Sequence, residues 1–162
     1  MKLHTHKTTA LSIFILAIAG LASGFSYADE GRVVSVHDGD TLTVLVGKQQ
    51  VKVRLADIDA PELHQPFGSR SKESLAALCV NEAAKLMQTA RDRYGRAVGR
   101  VECAGMDASA HQVATGMAWV FPRYAPKDSP LYRLEADAKS ARRGLWEDSG
   151  PVPPWEWRRE KH

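Results

Sequence analysis

Arg32-Val33-Val34-Ser35-Val36-His37-Asp38-Gly39-Asp40-Thr41-Leu42-Thr43-Val44-Leu45-Val46-Gly47-Lys48-Gln49-Gln50-Val51-Lys52-Val53-Arg54-Leu55-Ala56 is the stretch that decides the fold. Arg32 to His37 carries Val33, Val34 and Val36 and reads as a strand. Asp38-Gly39 between apolar runs is a hairpin signal, because both residues tolerate the backbone a tight turn needs. Thr41 to Val46 alternates, with Leu42, Val44 and Val46 on one face and Thr41 and Thr43 on the other. Gly47-Lys48 makes a second turn. Gln50 to Ala56 alternates again, with Val51, Val53 and Leu55 inward and Lys52 and Arg54 outward. Three strands in hairpin succession form an antiparallel meander.

Downstream, Asp57 to Gln65 is polar, holds Pro61 and lacks a period, so it reads as a loop leaving the third strand. Ser69 is placed to cap a helix running to about Cys79, with Leu75, Leu78 and Cys79 on one stripe. Ala83 to Gln88 and Tyr94 to Cys103 are two further strand candidates. Asp107 caps a short helix that Gly116 stops. Ser129-Pro130 opens a third helix, with Leu131, Leu134, Ala138 and Ala141 on one face and Gly144 after its end. Pro151, Pro153 and Pro154 mark an extended tail that carries Trp155 and Trp157. Five short strands led by a meander, with three helices, predict an α+β domain. A five-stranded oligonucleotide/oligosaccharide-binding (OB) barrel with three helices is the natural candidate.

The chain has 162 residues, enough for one domain. Its first stretch is expected to stand outside that domain. Lys2 and Lys7 precede an apolar run from Ala10 to Ala22, and Ser26-Tyr27-Ala28 offers small residues at a cleavage site. The run is short for a membrane span of about 20 residues. The expected division is a cleaved export signal over 1–28, a domain over 29–148 and a Pro/Trp-containing tail over 149–162. The protein is then periplasmic or secreted, with no stable membrane association after the signal is removed. Losing Lys2 and Lys7 lowers the formal charge of +3 to +1. That excludes strong anion binding by bulk charge, so any grip on a polyanion must come from local arginines. Cys79 and Cys103 have neither zinc nor redox-motif spacing. In an oxidising compartment a disulfide between them is expected, two buried thiols being the alternative.

Four short pieces carry the chemistry: Asp38-Gly39-Asp40-Thr41, Arg54-Leu55-Ala56-Asp57-Ile58-Asp59-Ala60-Pro61-Glu62, Asp92-Arg93-Tyr94-Gly95-Arg96 and Gly144-Leu145-Trp146. In a meander, the end of the third strand returns to the first turn. Asp59 therefore arrives near Asp40, and two carboxylates with carbonyls and waters suit Ca²⁺. Glu62 follows, held by Pro61, where it could orient or deprotonate a water. Arg54 can offer a planar fork to two phosphate oxygens. Arg96 could clamp the same phosphate from a second side. Two arginines and a metal would stabilise the extra charge of a five-coordinate transition state.

In order and spacing these boxes resemble the thermonuclease, or staphylococcal-nuclease-like, family from about Arg32 to Trp146. The resemblance implies an OB barrel that hydrolyses DNA and RNA with Ca²⁺, leaving 3′-phosphate ends. It implies Arg54, Glu62 and Arg96 as catalytic positions and Asp40 and Asp59 as metal ligands. Ala60, where the best-known members have threonine, would add a backbone carbonyl. Tyr94 and Tyr124 are candidates to stack on the substrate, and Pro122 stands where a stacking tyrosine is expected. The segment between Glu62 and Tyr94 is shorter than in those members. A monomer is expected. The alternatives are a barrel that binds nucleic acid without cutting it, and a phosphodiesterase acting on small nucleotides. Retention of all five charged positions favours the nuclease.

Overall fold

The structure, a computed structural model, describes residues 28–160. All of the expected export signal except Ala28 lies outside them. Strand β1 (Asp29–Val36) pairs antiparallel with β2 (Thr41–Val46), which pairs antiparallel with β3 (Gln49–Leu55). The two turns fall where the glycines predict them. Gly47 takes a left-handed φ of 58°, which costs glycine nothing. The alternation is less clean than the sequence predicts: Thr41 and Thr43 are buried alongside Leu42 and Val44, so β2 is covered on both faces.

Beyond β3, Asp57 adopts a left-handed φ of 67°. This breaks the strand and starts the two-residue β4 (Ile58–Asp59). Helix α1 (Gly68–Cys79) follows, then β5 (Ala83–Arg91), β6 (Ala97–Cys103) and β7 (Met106–Asp107). β5 pairs antiparallel with both β1 and β6, and β6 runs parallel beside β3. That last pairing closes β1, β2, β3, β6 and β5 into a five-stranded barrel. Closure leaves no long edge open to other chains.

Helix α2 (Ala108–Ala114) is capped by Asp107, whose carboxylate accepts a 2.8 Å bond from the Ala110 N–H. β8 (Trp119–Val120) pairs with β4 to form a short ribbon outside the barrel. Helix α3 (Leu131–Ser140) buries Leu131 and Ala138, and the single 3₁₀ turn Gly144–Glu147 seats Leu145. Val33, Leu42, Val44, Val53, Leu55, Leu86 and Val101 fill the barrel, and Leu75, Val113 and Leu131 cover it. Truncating one such leucine to alanine typically costs about 2–5 kcal/mol. Cys79 of α1 is bonded to Cys103 of β6, with Cα atoms 5.1 Å apart. By the loop-entropy account, a link across 24 residues stabilises by roughly 3 kcal/mol.

Other local expectations differ. Ile58–Asp59 pairs with β8 inside the stretch read as a loop. Ser69 does not cap α1; Phe67 precedes the helix with a φ of 66° and no side-chain cap is made. The tail is not extended throughout. Pro154–Glu160 forms a fourth helix, α4, with proline in its first turn.

Candidate active site

Asp40 sits at the mouth of the β1–β2 hairpin. Its N–H donates to Asp38 Oδ1 (3.0 Å), and its carbonyl accepts from Leu55 N–H (2.8 Å) at the end of β3. The residue is thus held by its own turn and by the neighbouring strand. Asp59 arrives through the ribbon, where it pairs with Trp119. The two carboxylates are 6% and 1% exposed, too buried to stay charged without partners.

Arg54 supplies a shared partner. It lies opposite Thr41 in the β2–β3 ladder, and its side chain is 17% exposed. Its Nη1 is 2.7 Å from Asp40 Oδ2 and its Nη2 is 2.8 Å from Asp59 Oδ1. One planar fork therefore links carboxylates nineteen positions apart in the chain. Asp40 Oδ2 also accepts a 2.6 Å bond from Ala60 N–H, and Oδ1 accepts from the Thr41 hydroxyl. Even so, burial, aided by the nearby Asp38 and Asp59 charges, outweighs Arg54 and pushes the Asp40 carboxyl up to about 7.

Glu62 stands at the rim with its side chain 45% exposed. Its position is set from behind. Gln65, itself buried, accepts from the Glu62 N–H at 3.2 Å. Gly68 packs so closely on the Glu62 carbonyl that a β-carbon there would collide with it. A similar close approach fixes the first turn, where a β-carbon on Gly39 would collide with Ser71. Gln112, fully buried on α2, donates to the Gly39 carbonyl (2.7 Å) and the Ser71 carbonyl (2.9 Å). The helices therefore brace both acidic loops.

Arg96 is not bonded to this cluster. Its Nε donates to Asp92 Oδ2 at 2.6 Å, and its guanidinium lies 5.6 Å from the Tyr94 ring centroid. Asp92 gains bonds from Arg96 and from the backbone N–H groups of Tyr94 and Arg96. Desolvation is the largest single influence and works against its charge, but the bonds from Arg96 and Tyr94 together prevail and hold the carboxyl below its usual range. Arg96 directly precedes Ala97, which pairs with Val53. It is therefore one strand away from Arg54 but turned to another partner. Tyr94 and Tyr124 are 69% and 67% exposed, open for stacking. Tyr124 meets Phe121 edge to face.

One residue that sequence reading did not single out stands inside the cluster. Arg158 of α4 reaches Asp59 Oδ2 (2.7 Å), Asp59 Oδ1 (3.3 Å) and Glu62 Oε1 (2.7 Å). Burial opposes its charge, but the bonds it donates to Asp59 and Glu62 more than offset this and raise its pKa.

The side-chain ligand atoms that Asp40, Asp59 and Glu62 can offer are all oxygens, the chemistry a hard cation takes. Among the described residues, no group of three or more acidic, histidine or cysteine side chains forms a ready cage. Two carboxylates completed by backbone oxygen, water and substrate phosphate fit such an ion without one.

A family model described as staphylococcal nuclease homologue matches residues 52–148. "Micrococcal nuclease" of Shigella flexneri is 40% identical over 161 residues, covering 93% of this chain and 92% of the relative. An "uncharacterized endonuclease" of Escherichia coli O157:H7 is 42% identical over 132 residues, covering 81% and 86%. "Protein ParB" of Escherichia coli is 41% identical over 157 residues, covering 91% and 89%. With the closed barrel and the two boxes gathered at its rim, this extent of likeness leaves one conclusion: the chain belongs to the staphylococcal nuclease family.

Proposed function

We propose that this nuclease is exported and hydrolyses phosphodiester bonds of DNA and RNA with Ca²⁺ and little sequence preference. The observation that carries the reading is the Arg54 fork between Asp40 and Asp59, with Glu62 beside it. A guanidinium, the group that suits a phosphate, beside oxygens, the atoms that suit a hard cation, supports this reading. Asp40, Asp59 and the Ala60 carbonyl would hold the ion, whose positive charge there favours an anionic phosphoryl group.

Arg54 releases one or both carboxylates and turns its fork to the phosphoryl oxygens. Glu62, exposed and next to that position, accepts the proton of the attacking water. Arg96 leaves Asp92 to hold a second side of the phosphoryl group. Both arginines then face the charge that grows in the transition state. The 5′-oxygen departs and the 3′-phosphate remains. Tyr94 and Tyr124 stack on neighbouring bases or sugars.

Export rests on Lys2, Lys7, the apolar run and Ser26-Tyr27-Ala28. Among the described residues, no helix is long and apolar enough to cross a membrane. Purified protein should release acid-soluble nucleotides carrying 3′-phosphates from DNA and from RNA when Ca²⁺ is present. Excess chelator should abolish the release. Full turnover in chelator, or 5′-phosphate products, contradicts the proposal. Edman sequencing of the protein recovered outside the cytoplasm should begin at Asp29.

A further inference from the structure

Several contacts fasten the C-terminal segment beside the site. Gln65 Nε2 donates to the Val152 carbonyl at 2.6 Å, and the same Gln65 supports Glu62. Trp155 stacks on Phe121, with centroids 5.2 Å apart and planes 10° from parallel. Arg158 then takes both oxygens of Asp59 and one oxygen of Glu62.

The consequence is electrostatic. Arg54 already occupies Asp59 Oδ1, so with Arg158 docked both Asp59 oxygens face a guanidinium. A divalent ion bound by Asp59 would meet those positive charges at hydrogen-bond distance, and like charges so close repel strongly. The two arginines differ in how readily they can leave. Arg54 is rooted in the barrel wall, paired on both sides by β2 and β6. Arg158 is on a seven-residue terminal helix, with its side chain 43% exposed. A helix this short has little stability of its own and depends on its docking contacts. It also lies outside the residues 52–148 that match the family.

We propose that Arg158 is a further residue of this site, standing in for the cation at Asp59 and Glu62 while metal is absent. Calcium displaces it, loosening α4 and freeing the Glu62 carboxylate. The C-terminal helix is thus a latch that competes with the metal. The inference rests on the calcium site proposed above, and the experiment separates the two.

Calcium chloride is titrated into chelator-stripped protein by isothermal calorimetry. R158Q should bind at least about tenfold tighter than wild type, and R158K should stay close to wild type. W155A removes the stack on Phe121 without touching a carboxylate, so it should also bind tighter; it decides the matter if R158Q fails to fold. Calcium should change the tryptophan fluorescence of wild type, and R158Q, already unlatched, should lose most of that change. Equal or weaker calcium binding by R158Q and W155A overturns the latch while leaving the calcium site standing. It would mean that Arg158 builds the site rather than blocks it. Absence of calcium binding in wild type and all variants overturns both.

Discussion

Two arginines on neighbouring strands show how differently one barrel can hold a charge. Arg54 on β3 is mostly buried and bridges two buried carboxylates. Arg96, just before β6, lies at a hairpin tip and pairs with Asp92, a partner four residues away. Removing Arg54 takes from buried Asp40 its guanidinium partner and leaves buried Asp59 with Arg158 alone. Removing Arg96 strands no buried charge. The Arg54 cluster is therefore part of what the fold must satisfy, whereas Arg96 is a local arrangement that can be exchanged for a substrate at little cost.

The largest effect should come from R54A. Breaking a buried pair by deleting one member costs about 3–5 kcal/mol. Turnover should fall by about 10³-fold or more with the loss of the phosphate fork. Urea unfolding and DNA hydrolysis measure the two losses. A variant with wild-type stability would show that the interior carboxylates are neutral and would break the comparison.

R96A should be next. Turnover should drop by about 10²–10³-fold, while stability changes by no more than about 0.5 kcal/mol. D92N sharpens the contrast by weakening the hold on Arg96 without removing it. It should lower KM or leave it unchanged, with stability again nearly wild type.

The smallest effect is one of pH, and its sign differs between the regions. Asp40 is raised to about 7, above its unfolded value, so the native state binds the extra proton. Its contribution to stability is present in acid and is lost as pH rises through about 7. Asp92 is lowered, so its contribution is present at neutral pH and is lost only as pH falls through its depressed pKa. In chelated protein, D40N should therefore abolish a decline of melting temperature between about pH 4 and 7. D92N should affect only the acid limb.

The barrel was legible because its signals are local: an Asp-Gly turn, a Gly-Lys turn and apolar alternation at period two. Meander topology then carried Asp59 back to Asp40, and the structure joins both to Arg54. Arg158 was not legible, because ninety-nine positions separate it from Asp59 and nothing local reports such a contact. The prolines at 151, 153 and 154 suggested extended chain, yet Pro154 suits a first helical turn, with Glu156 early and Arg158 and Arg159 late to match the helix dipole. Gln65 and Gln112 escaped for the same reason: their acceptors are backbone carbonyls that only the folded chain brings near. The α1 start at Gly68 rather than after Ser69 is hidden in the sequence because Phe67 takes a left-handed backbone that its residue type does not advertise.

The most direct measurement of the central claim is a calcium titration of DNA hydrolysis by wild type and D59N. Wild type should saturate with calcium and fall silent in chelator, and D59N should need far more calcium for any turnover. Matching calcium dependence in the two proteins would show that Asp59 holds no metal and that the buried cluster is not the working centre.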